Sequence, residues 1–125
     1  MTINLYAAWI GFLAGCLAGV APGLFFHDKE WLGGYASWPR RMIRLAHIAF
    51  FGIGLLNLSF ALTARALGMA SGLKIPSALL IVGAVTMPAV CYLCAWKPFF
   101  RRLFFVPALS VTVAVALFLW RILAR

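Results

Sequence analysis

His27 and His47 are the only histidines in the chain. Imidazole is an axial ligand for haem iron. Two imidazoles at one level of a membrane, with Arg40, Arg41 and Arg44 beside them to neutralise propionates, point to a haem b site. A quinone headgroup hydrogen-bonded by His47 is the other redox reading. The ordinary use is plainer: His27 as a wet interfacial residue and His47 as a hydrogen-bonded helix residue. Met87, Cys91 and Cys94 follow one another at i, i+4 and i+7, which places three soft sulfur atoms on one helical face. Such a set suits Cu(I), although free cysteine and methionine are also common apolar fillers. Asn57, with Ser59 and Thr86 at comparable depth, fits either a hydrogen bond between helices or the lining of a pore.

The acids are as informative. Asp28 and Glu30 are the only two, and both lie between apolar runs. No carboxylate is therefore placed to carry protons through lipid. No carboxylate pair, Ser/His/Asp set or zinc signature is present either. The chain is expected to be non-catalytic.

Glycines at 11, 15, 19 and 23 recur every fourth residue and share one helical stripe. Ala7 extends it. Without side chains there, a second helix can approach the backbone closely. That helix belongs to this chain's own bundle or to a partner subunit; a pigment or lipid against the smooth face is a further option.

The elements that carry these residues follow from composition. Hydrophobic residues make up 66% of the 125 and charged residues only 10%. A soluble domain of this size needs a far more polar surface, so lipid is the expected solvent. Apolar runs at 3–26, 43–67, 75–96 and 103–120 are each long enough to cross hydrocarbon; the first is roughly 36 Å long as a helix. Helices are required because lipid satisfies no backbone polar group, and the period-two alternation of a barrel is absent. The first run is too long for a signal-peptide core and lacks a basic leader, so it is expected to stay as the first membrane helix. Pro76 and Pro107 suit first turns, whereas Pro22 is expected to loosen the end of the first helix. Short links at 71–74 and 97–98 make successive helices neighbours of opposite direction. The expected fold is an all-α, antiparallel four-helix transmembrane bundle forming a single domain.

Eleven Lys and Arg against two acids give a net charge of +9. The bases punctuate the apolar runs, which excludes nucleic acid as the partner and favours anionic lipid headgroups, met by Arg40, Arg41, Arg44, Arg101 and Arg102. Lys29, Arg40, Arg41, Arg44, Lys97, Arg101 and Arg102 fall on one face; Arg65, Lys74, Arg121 and Arg125 fall on the other. The positive-inside rule then puts loops one and three in the cytoplasm and both termini outside, in a bacterial inner membrane. Trp31, Tyr35 and Trp38 place loop one at headgroup level. Small multidrug transporters and fluoride channels share this length and helix number. The first helix here lacks the glutamate of the former, and the phenylalanine and threonine pattern of the latter is missing. The leading expectation is a small non-catalytic subunit or assembly factor of an energy-transducing, respiratory or photosynthetic membrane complex, in contact with larger subunits or with itself. A haem b- or quinone-binding redox protein and a small homodimeric transporter or channel are the alternatives.

Overall fold

The computed structural model describes residues 1–124; Arg125, counted above among the bases of the second face, lies outside them. The described residues form helices α1 (Thr2–Ala18), α2 (Val20–Phe25), α3 (Trp38–Ala66), α4 (Lys74–Trp96) and α5 (Phe105–Leu123), with 3-10 segments at Trp31–Gly33 and Pro98–Phe104. Four stretches are long and apolar enough to cross a membrane: Thr2–Phe25, Trp38–Ala66, Lys74–Trp96 and Pro98–Leu123.

Three boundaries differ from the sequence expectation, each for a local reason. The first run is interrupted at Gly19. Pro22 has no N–H to give the carbonyl four residues back, while the Gly19 and Gly23 amides still reach Gly15 and Gly19 carbonyls at 3.0 Å. The second helix starts at Trp38 rather than near 43. Ser37 is extended and Pro39 stands in the first turn, where its fixed φ suits a helix start. The bases of that turn are not expelled, because Arg40 folds back onto loop one. The fourth helix begins at Phe105 and runs on to Leu123, with the 3-10 segment in front of it.

Loop one reverses direction through Gly33 and Gly34, at φ +85° and +98°, a backbone region that glycine enters without a Cβ clash. Ser37 Oγ donates to the Leu32 carbonyl at 2.7 Å and closes the turn.

α3 and α4 pack together at the centre; α1 lies chiefly on α3 and α5 on α4. Contacts between neighbours run in reverse order along the chain. Asn4 meets Asn57, Gly11 meets Phe50, and Gly19 meets His47. Likewise Trp38 reaches Cys94 and Asn57 reaches Leu80. Phe60, Ala64, Leu80 and Ala114 form one core cluster with Phe118 against it. Met42, Val90 and Cys94 form a second beneath Trp38, Phe100 and Phe104.

Candidate functional site

The most connected polar group in the bundle joins three helices. Asn4 on α1 donates through Nδ2 to Asn57 Oδ1 on α3 at 2.8 Å and to the Ser77 carbonyl on α4 at 3.3 Å. Ser77 Oγ donates back to Asn4 Oδ1 at 2.5 Å. Asn57 Nδ2 donates to the Ile53 carbonyl at 3.0 Å and to the Leu80 carbonyl at 3.3 Å. Both asparagines have no exposed surface. Water and lipid cannot reach them, so each polar atom has to find its partner inside. Among the described residues no buried side-chain nitrogen or oxygen lacks one.

About two to three turns further along α1 the helices meet through glycine. A Cβ on Gly15 would stand 2.7 Å from the Phe51 ring, and one on Gly54 would stand 2.7 Å from the Phe12 ring. Each helix thus offers a notch that the other's phenylalanine fills. The two rings stack at 6.2 Å with 17° between their planes. A Cβ on Gly11 would stand 3.2 Å from the Phe50 carbonyl oxygen and one on Gly19 2.7 Å from His47 Nε2, whereas one on Gly23 would meet nothing within 4 Å. Three glycines of the stripe therefore lie against α3 of the same chain.

Beside these notches, α1, α3 and α4 leave an open crevice of about 520 Å³. Gly11, Ala14, Gly54, Ala84 and Ala89 are too small to close it, and the hydroxyls of Tyr6 and Tyr92 are the only polar side-chain groups on its walls. Its volume falls in the range of small-molecule sites. No protein family, curated protein or solved structure matches this chain. The geometry of the site alone must therefore carry the functional reading.

The residues singled out by type sit as follows. His47 is half-buried, with its ring edge-on to Phe51 at 5.4 Å and against Gly19. His27 is exposed beyond α2. Cys91 and Cys94 are fully buried free thiols, Met87 is half-buried, and Cys16 is exposed. No three of His, Cys, Asp and Glu gather at a metal position among the described residues. The Cys94 carbonyl accepts the Trp38 indole N–H at 2.7 Å. Thr86 donates to the Val82 carbonyl of its own helix at 2.7 Å, and Ser59 is exposed. Sequence reasoning missed Asn4 and Ser77. A lone amide near the start of an otherwise apolar helix was the available signal for Asn4.

The five arginines assigned to headgroups divide. Arg41, Arg101 and Arg102 are exposed. Arg44 lies 4.1 Å over the Tyr35 ring and donates to the Tyr35 carbonyl at 2.9 Å. Arg40 is only 5% exposed and turns inward. Its two terminal nitrogens donate to the Phe26 and Asp28 carbonyls, both at 3.0 Å, and its guanidinium lies 5.4 Å from the Trp31 ring. A cation at the carbonyl end of α2 also meets the negative pole of that helix. Arg40→Met keeps the stem but removes the donor to both carbonyls, of which that of Asp28 keeps the Trp31 N–H at 3.4 Å. It should cost about 1.5 kcal/mol and raise protease cleavage within residues 27–36, whereas Arg41→Gln should change neither. Equal cleavage in both variants would remove Arg40 as the clasp of loop one.

Proposed function

We propose that the chain is an antiparallel, four-helix integral membrane protein acting as a small non-catalytic subunit or assembly factor of a larger membrane complex. Respiratory and photosynthetic complexes of a bacterial inner membrane are the setting for it. Two observations support the membrane placement. The reverse order of helix contacts lets each link turn the chain back on one side, so that the next helix crosses in the opposite direction. Large apolar side chains such as Trp9, Leu13 and Leu17 on α1 and Leu109, Leu119 and Trp120 on α5 face outward, which hydrocarbon accommodates and water does not.

The observation that carries the subunit reading is the closed polar interior. Asn4, Asn57 and Ser77 satisfy one another and adjacent carbonyls, so they are not free to pass an ion or activate a substrate. Function then falls to the outer surface, through contact with lipid and partner subunits. A transporter reading would need Asn57 and Thr86 along a pore, yet both hydrogen-bond within the helices. A haem b reading would make His27 and His47 axial ligands and is tested by the absorption spectrum.

Gentle solubilisation should bring larger membrane subunits down with the tagged chain, without a Soret band. A cysteine placed at Ala36 should be shielded from an impermeant maleimide in intact cells, whereas one at Ala124 should react. Purification of the chain alone, with ion flux in liposomes, would overturn the subunit reading. Reversed labelling would overturn the orientation, with loops one and three outside rather than cytoplasmic.

A further inference from the structure

The crevice between α1, α3 and α4 has a length, a polarity and an end charge that together specify an occupant. It follows residues 3–14 on α1 and residues 81–92 on α4, eleven steps on each, or roughly 16 Å of helix rise. That is about half of a hydrocarbon layer roughly 30 Å thick, the depth of one leaflet. Its walls are apolar apart from two tyrosine hydroxyls, which excludes a charged or strongly hydrogen-bonding ligand from its interior. An empty slot of this kind forfeits dispersion contacts along its walls, and a flexible hydrocarbon chain restores them.

The two ends differ. At one end Tyr92 lines the wall, and Trp96 follows four residues later on the same face of α4. Lys97 places its ammonium 4.6 Å from the centre of the Trp96 ring, so a base stands just over a turn beyond Tyr92 at that end of the bundle. The same end of the bundle carries Lys29, Arg40, Arg41, Arg44, Arg101 and Arg102. Only Asp28 and Glu30 oppose them anywhere in the chain, so positive charge remains in excess. A tryptophan ring topped by an ammonium is the arrangement expected at headgroup level.

We propose that this crevice seats one acyl chain of an anionic phospholipid, with the lipid phosphate held by Lys97 at the mouth and the chain running past Tyr92 towards Ile81. The proposal rests on the membrane placement above and is independent of any partner subunit. Lysine at the mouth supplies the selectivity for negative charge, and the small residues on the walls supply the room.

The test uses the whole chain reconstituted in vesicles of phosphatidylcholine and phosphatidylglycerol in equal parts, released gently and weighed by native mass spectrometry. One phosphatidylglycerol should stay bound in about fivefold preference to phosphatidylcholine, the effect of one base at an anionic surface. Ala89→Trp, which adds bulk at an exposed wall position, should abolish retention of both lipids. Lys97→Gln should keep a lipid but lose the preference. Excess soluble glycerol phosphate should displace nothing, which separates a lipid site from a phosphate site. Equal retention of the two lipids by the parent chain, or undiminished retention by Ala89→Trp, would overturn the proposal. Alkaline carbonate extraction of the same vesicles separates the two levels. A chain that resists extraction but holds no lipid loses only the lipid site, whereas a chain that is extracted loses the membrane placement itself.

Discussion

Asn57→Leu is expected to destabilise the bundle by about 2 kcal/mol while leaving its helix content unchanged. The substitution is close in size, so no large cavity forms. What is lost is polar. Asn4 Nδ2 loses its 2.8 Å acceptor, and the Ile53 and Leu80 carbonyls lose a donor. Stranding a buried polar group costs roughly 1–3 kcal/mol. Hydrogen bonds between helices in lipid average nearer 0.6 kcal/mol, so several must fail together to reach 2. Ser77→Ala removes only the hydroxyl bond to Asn4 Oδ1 and should cost about 1 kcal/mol.

Double-mutant cycles on the pair decide whether the three residues act as a unit. Removing Asn4 and Asn57 together should cost less than the sum of the single changes, because the second removal no longer strands a partner. Reversible unfolding in mixed detergent reads these differences. Strict additivity, or an Asn57→Leu cost within about 0.5 kcal/mol of zero, would show that the network is incidental. If the variant kept full stability but lost an ion flux, Asn57 would be a pore residue, and the closed-interior argument would fail with it.

Much of the helical architecture was legible because one physical demand dominates it. A chain with four apolar runs and two acids has little alternative to helices long enough to cross lipid. The ends were less legible, since they depend on contacts remote in sequence. Nothing local in residues 38–42 says that Arg40 will be held by the carbonyls of Phe26 and Asp28, and without that clasp two arginines look like loop. The candidate site was legible only in part. Asn57 was marked by its type, but its partner Asn4 lies 53 residues away, and no spacing rule links them. The glycine stripe was plain as a period of four, yet its neighbour was not. Whether the smooth face met α3 or another subunit turned on where Phe12 and Phe51 stand. The crevice was invisible in the sequence, because it is the space left by small residues on three different helices.

The reciprocal glycine notches supply the second large effect. Gly54→Leu should cost about 3 kcal/mol, at the upper end for overpacking, and should loosen α1 from α3. The new Cβ would meet Phe12 at 2.7 and 3.0 Å, with the Ala8 carbonyl behind at 3.3 Å. Phe12 has little freedom to withdraw: Trp9 stands edge-on to it at 5.6 Å and Phe51 stacks on it at 6.2 Å. Gly15→Leu meets mainly the far edge of the Phe51 ring, at 2.7 and 2.9 Å, and should cost about 2 kcal/mol. Gly23→Ala meets nothing within 4 Å and should stay within about 0.5 kcal/mol of the parent. The interlock itself is tested by relief. Phe12→Ala destabilises alone by opening a void, yet in a Gly54→Leu chain it frees the room that the leucine needs. The double variant should therefore be more stable than Gly54→Leu, with a coupling of at least 1 kcal/mol. If Phe12→Ala made the Gly54→Leu chain weaker still, the two residues would not share that space, and the close approach of α1 to α3 would need another cause.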